Sequence, residues 1–298
     1  MPDYFDPHVI GRVKGLALRS LRLVESFMVG VHKSRLRGIS TEFAQHRPYV
    51  PGDDTRHLDW KVFARTDRFY LKQYEAETNM PVRFLVDTSR SMFFRSPAAA
   101  MGKFDYAATV VATLAYMLLK QKDTFGLALF DRKVHTNLPA KGSGAHFRNV
   151  LAALSAATGD GHTDISSALT AVAPQLKRRG LVVLVSDFVD ETDRLASALG
   201  QMSFLGQDVI LLHVEDPGER DFPFSGHSIF LGPEEEGKLR CDPRDLRGAY
   251  LAERGRHLGS IRETCLRFGY EFEHMPTDTR LDAVLAGFLA LRQAKRRR

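Results

Sequence analysis

Cysteine is scarce in this chain: Cys241 and Cys265 are the only two in 298 residues. With no secretory signal in view, that excludes a disulfide-stapled scaffold and predicts two reduced thiols. Long apolar runs are missing too. The longest early stretch, Val9 to Val31, is interrupted by Arg12, Lys14, Arg19, Arg22 and Glu25. It predicts an amphipathic helix over residues 8–30, not a membrane span, and the expected location is cytoplasmic. There is one tryptophan, Trp60, expected to anchor the packing of its local element.

Familiar catalytic signatures are also absent. There is no Gly-x-Ser-x-Gly elbow and no His-Glu-x-x-His pair. Gly142-Ser143-Gly144 lacks the third glycine of a dinucleotide fingerprint and the Gly-Lys-Ser/Thr of a phosphate-binding loop. The eleven histidines are scattered, and His162 is the one expected near the site described below. No internal repeat is present. The basic end, Lys295-Arg296-Arg297-Arg298, accounts for much of the net charge of +6. It reads as a solvated terminus, since no aromatics interleave with it for nucleic-acid stacking.

What is present is an ordinary core-forming composition, 44% hydrophobic and 26% charged. Strands and helices alternate. Apolar runs at 82–87, 124–130, 181–187 and 209–214 predict buried strands, with 134–138 as an antiparallel neighbour. Helices are predicted at 103–120, 146–156, 165–178 (closed by Gly180), 191–205, 246–268 and 281–292, with a strand near 270–274. This order predicts an α/β fold: a doubly wound, mostly parallel, Rossmann-like sheet flanked by helices over 78–292, with an insertion at about 217–243. Residues 1–77 are expected to form an N-terminal helix and a small β appendage. Val50-Pro51-Gly52-Asp53 suits a type II turn there, Phe69–Tyr74 suits a strand, and 293–298 is the basic tail.

The chemistry gathers where strands end. Val82–Val86 stops at Asp87, followed by Ser89 and Ser91, and Leu181–Val185 stops at Ser186-Asp187. Thr163 precedes the helix at 165–178. A parallel sheet places these three loops at one edge, where open α/β sheets bind ligands. Their carboxylates and hydroxyls are hard oxygen donors suited to Mg²⁺.

Asp87-x-Ser89-x-Ser91, Thr163 and Asp187 together resemble the metal-ion-dependent adhesion site of von Willebrand factor type A domains. Many such domains carry Asp-Gly where this chain has Asp187-Phe188. The stretch Arg47-Pro48-Tyr49-Val50-Pro51-Gly52-Asp53-Asp54 through Trp60, with Ala64-Arg65 and Glu75, is similar to the signature of the bacterial domain-of-unknown-function-58 family. The resemblance implies that Ser89 and Ser91 ligate Mg²⁺ (or Mn²⁺ or Ca²⁺) directly and Thr163 directly or through water. Asp87 and Asp187 would act mostly through water. It also implies a Glu or Asp of a client protein as the outside ligand, and a MoxR-type AAA+ ATPase as working partner. The expected function is therefore a non-enzymatic, Mg²⁺-dependent interaction module. The alternative is a metal-dependent phosphoesterase using Asp53 and Asp54, or the Asp87 edge. Arg47, Asp53, Asp54, Arg56, Asp59 and Arg65 read either as an ion-pair network or as a second interaction surface.

Overall fold

The computed structural model describes residues 15–21, 23, 43–49, 60–74, 81–159, 161–176, 179–226, 228–231 and 238–282. The chain divides into two compact units, residues 31–79 and the remainder. In the small unit, β1 (Phe43–Pro48) and β2 (Tyr70–Tyr74) pair antiparallel, with α2 (Trp60–Thr66) between them in sequence. Phe63 stacks on Phe69 at 4.4 Å, and Tyr49 meets Phe69 edge-on. Trp60 is 63% exposed and touches only the edge of Phe63 among these rings. The anchoring role expected of it falls to the Phe63–Phe69 stack. Its place at the first residue of α2 leaves the indole outside that stack. The type II turn at 50–53 lies outside the described residues, as does most of the early helix, of which α1 (residues 15–21) is seen. Leu16 of α1 is buried in the main unit's core.

The main unit is built on a six-stranded sheet. Its strands are β3 (Val82–Asp87), β4 (Phe125–Phe130), β5 (Val134–Lys141), β6 (Leu181–Ser186), β7 (Asp208–Glu215) and β10 (Glu271–Pro276). Their order is β10-β7-β6-β3-β4-β5, with only β5 antiparallel. Every residue of β3, β4 and β6 is buried, which is why these strands read as unbroken apolar runs. β5 alternates for most of its length, as an edge strand open on one face should. One face packs α3 (Lys103–Lys120) and α4 (Gly144–Ala156), through Phe104, Val111, Leu114, Val150 and Leu154. The other packs α5 (Ile165–Val172), α6 (Thr192–Phe204) and α8 (Pro243–Phe268), through Leu169, Leu199, Ile261 and Cys265. Full burial of each such side chain contributes about 1.5–3 kcal/mol, so both faces are needed to hold the sheet.

Two local features differ from expectation. α5 does not run to 178. Pro174 cannot donate to the preceding turn, and the chain passes into a 3₁₀ turn at Ala173–Gln175. Gly180 serves a different purpose from helix termination. Its N–H donates to Gln207 Oε1 at 3.1 Å, and a Cβ there would stand 2.6 Å from that oxygen. Buried Arg83 on β3 reaches beneath β4 to the Leu138 carbonyl and to Asn137 on β5. Gly126 makes that passage, since a Cβ there would lie 2.5 Å from the guanidinium.

Residues 217–243 hold the short α7 (Pro217–Asp221) and a hairpin of β8 (Ser228–Leu231) and β9 (Lys238–Cys241). The final helix predicted at 281–292 lies outside the described residues beyond Asp282. Among the described residues, no helix is long and apolar enough to cross a membrane. Cys265 is a free, buried thiol.

Candidate functional site

The carboxyl ends of β3 and β6 are neighbours in register, with Val86 opposite Val185. Asp87 therefore emerges beside Ser186. The Ser89 N–H donates to Asp87 Oδ1 at 2.7 Å, which turns the chain back at once. A 3₁₀ turn at Arg90–Phe93 follows and sets the Ser89 and Ser91 hydroxyls 3.1 Å apart. Asp87 Oδ2 accepts from Thr163 Oγ1 at 2.9 Å and from Ser186 Oγ at 2.6 Å. The Thr163 loop is itself pinned: Gly161 accepts from the Arg90 N–H, the Asp164 N–H donates to the Asp131 carbonyl, and the Asp164 side chain caps α5. Asp187 Oδ1 accepts from the Val189 N–H at 3.4 Å, and the nearby Ser91 side chain favours its charged form. Asp87, Ser89, Ser91, Thr163 and Asp187 are thus gathered at one edge.

Several partners were not legible. Lys103, the first residue of α3, is fully buried and donates to Asp187 Oδ2 at 2.7 Å and to Glu219 Oε1 at 2.5 Å. A cation in a helix's first turn opposes the helix dipole. These two carboxylates offset that cost. A lysine among alanines and aromatics at a helix start is a faint signal of a buried ion pair, and Glu219 sits in a segment that reads as loop. Thr88 also brings a second histidine close. Its hydroxyl donates to the Phe130 carbonyl and lies 2.8 Å from the His135 ring, while His162 is half-buried next to Thr163.

The electrostatics separate the two aspartates. Burial, then the charge of Asp187, pushes the Asp87 carboxyl up to about 6 despite its hydrogen bonds. Burial also pushes Asp187 upward, but the Lys103 ammonium overrides it and holds Asp187 below the ordinary carboxylate range. Burial would lower Lys103, and Asp187 and Glu219 together raise it. Lys103 thus compensates Asp187 and leaves Asp87 short of positive charge. The donor set is oxygen throughout, with two hydroxyls at the spacing of adjacent ligands. These residues fit a small hard cation, held by Ser89, Ser91 and Thr163 with the acids behind them.

Phe188 explains how the chain manages without the glycine common after this aspartate. Its φ is +57°, a left-handed conformation costing roughly 1–2 kcal/mol for a residue with a Cβ. Its N–H donates to Ser186 Oγ, its carbonyl accepts from the His257 ring, and its fully buried ring packs beside His213 and Phe272. Packing holds what glycine would permit freely.

Of the proposed second surface, Arg47 lies in β1 and Arg65 is exposed on α2. Asp53, Asp54, Arg56 and Asp59 lie outside the described residues, and with them the aspartates of the phosphoesterase alternative.

Uncharacterized protein Rv1480 of Mycobacterium tuberculosis is 26% identical over 98% of this chain and 92% of its own length. YeaD of Bacillus subtilis is 25% identical over 60% of this chain and 42% of its own. Among solved structures, BatB from Bacteroides thetaiotaomicron aligns with a TM-score of 0.47 and 16% identity, over 73% of this chain and 99% of its own. The SpRpn10 VWA domain aligns at 0.44 and 12% identity, over 69% and 93%. Residues 45–258 match the family described as "Protein of unknown function DUF58", and the chain belongs to that family.

Proposed function

We propose that the chain is a non-enzymatic protein-interaction module in the cytoplasm whose binding requires Mg²⁺ at the β3–β6 edge. The observation that carries this reading is the oxygen-only cluster of Asp87, Ser89, Ser91, Thr163 and Asp187, buried except for Thr163 and short of one positive charge at Asp87. Bound there, Mg²⁺ would supply an electrophilic centre for a Glu or Asp side chain of a client protein. The rest is done by the chain: Lys103 keeps Asp187 ionised, and Asp87 orients Thr163 and the Ser89 backbone. The family resemblance supports a MoxR-type AAA+ ATPase as the working partner, with this chain handing clients to it or coupling to it.

Pull-down of that ATPase and its clients with wild-type protein, with Asp87→Ala and with EDTA present tests the reading. Binding lost in both altered conditions is expected. Undiminished capture in both would remove the edge from the function. Turnover of generic phosphomonoesters or phosphodiesters in Mg²⁺ or Mn²⁺ would replace it with hydrolase chemistry.

A further inference from the structure

The next strands along the same carboxyl edge carry a different set of donors, beginning at His213, which lies opposite Ser186 of β6. His213 lies on β7 and His274 directly opposite it on β10. Their rings stack at 5.4 Å and 21°. Glu215 is two residues along β7, so the strand's two-residue period returns it to the same face. One donor atom from each of the three residues lies within 4.8 Å of the other two. Glu215 Oε2 is bonded to the His274 Nε2 position, and Oε1 is paired with Arg254 of α8.

We infer that His213, Glu215 and His274 form a second metal site, suited to a borderline ion such as Zn²⁺, with a donor set distinct from the oxygen cluster at the β3–β6 edge. Two imidazoles and one carboxylate are the donor mixture that Zn²⁺, Co²⁺ and Ni²⁺ prefer and Mg²⁺ does not. Three protein ligands leave a position open, as in catalytic and exchangeable zinc sites. A second, separate feature points to a ligand here: His213 Nδ1 is buried with no hydrogen-bond partner. A buried polar atom left unpaired costs about 1–3 kcal/mol, and a ligand that bonded it would offset that cost.

The charged groups around the site have defined places. Arg254 binds the carboxylate oxygen turned away from His274, where an outer partner orients a ligating carboxylate. Arg262 lies over the Phe272 ring, which stacks on His213 from the other side. Arg220 is paired with Asp278. The local charge is not acidic, so nitrogen lone pairs, rather than net charge, supply the affinity. The His274 side chain is 37% exposed and gives the ion its entry.

The test uses the full chain, stripped with EDTA and dialysed, then titrated with Co²⁺ and followed by its visible absorption. One Co²⁺ per chain with a nitrogen-donor spectrum, displaced by Zn²⁺, is expected. Asp87→Ala should leave this titration unchanged, which keeps the two sites distinguishable. His274→Ala changes a partly exposed ring and should preserve the far-ultraviolet circular dichroism. It should weaken Co²⁺ roughly 100-fold or more, beyond the cost of losing an outer-shell partner. Glu215→Gln should do the same. A titration that His274→Ala leaves unaltered, or no Co²⁺ absorption at millimolar metal, would overturn the site.

Discussion

Two neighbouring corners of the sheet's carboxyl edge, one between the central strands β3 and β6 and one between β7 and β10, solve the problem of buried charge in opposite ways. At the β3–β6 edge, Asp187 and Glu219 share a single ammonium, Lys103, whose side chain is entirely buried, and Asp87 stands beside them without a cation of its own. Negative charge is in excess there. At the β7–β10 corner one carboxylate, Glu215, meets one guanidinium, Arg254, whose side chain is 21% exposed, and the remaining donors are the His213 and His274 rings. On the reading proposed above, the first would attract a cation by charge and hold it with hydroxyls. The second is balanced and offers lone pairs. Ion selectivity then follows from donor chemistry, with no need for different folds.

The sharpest way to break this comparison is Lys103→Met. It leaves Asp187 and Glu219 facing each other without a cation, and a stability loss of about 3–5 kcal/mol is expected in urea denaturation. Adding Mg²⁺ should recover part of it. A loss under about 1 kcal/mol would mean that Lys103 is not the counter-charge. Phe188 stands between the corners, so its variants probe what they share. Phe188→Ala should cost about 3 kcal/mol for the lost ring. Phe188→Gly should cost about 1 kcal/mol less than Phe188→Ala, because glycine adopts the left-handed backbone freely. Equal losses would remove backbone strain from the account.

A smaller effect distinguishes the charged corner by pH. Burial raises Asp87 to about 6, so the folded protein takes up its proton before the unfolded chain does. At pH 7 without metal the ionised group destabilises the fold; this cost begins to shrink as the pH falls through 6 and is gone only below the unfolded carboxyl's ordinary value near 3.8. Asp87→Asn should therefore be more stable than wild type by about 1–2 kcal/mol at pH 7, with the difference shrinking by pH 5. A constant difference would contradict the assignment. The smallest change is expected of Arg220→Ala, whose pair with Asp278 is about a third exposed on both sides. Less than about 1 kcal/mol should be lost, in contrast to the buried pair at Lys103.

The fold was legible wherever burial is two-sided. β3, β4 and β6 read as strands because no residue in them faces water, and α3 was read to its exact ends, Lys103 and Lys120. The oxygen cluster was legible because its members sit at strand ends and helix starts, positions fixed by local pattern. Lys103 was not, since its partners lie 84 and 116 residues away and only the folded sheet brings them near. His213 hid inside the apolar run 209–214, and its pairing with His274 depends on a parallel register that no short window contains. Gly180 was misassigned because a glycine after a helix looks the same whether it ends the helix or clears space for Gln207.

Those separations also order events in time. A chain synthesised from its N-terminus can complete α3 and dock it on β3 and β4 while residue 187 is still unmade. Until β6 arrives, Lys103 keeps its water. It enters the interior only when Asp187 is present, and it reaches its full set of partners only with Glu219 of α7. The edge that gathers the oxygen cluster therefore closes only after five of the six sheet strands have been made, so a chain halted before α7 holds most of the sheet and still lacks Glu219 at that edge.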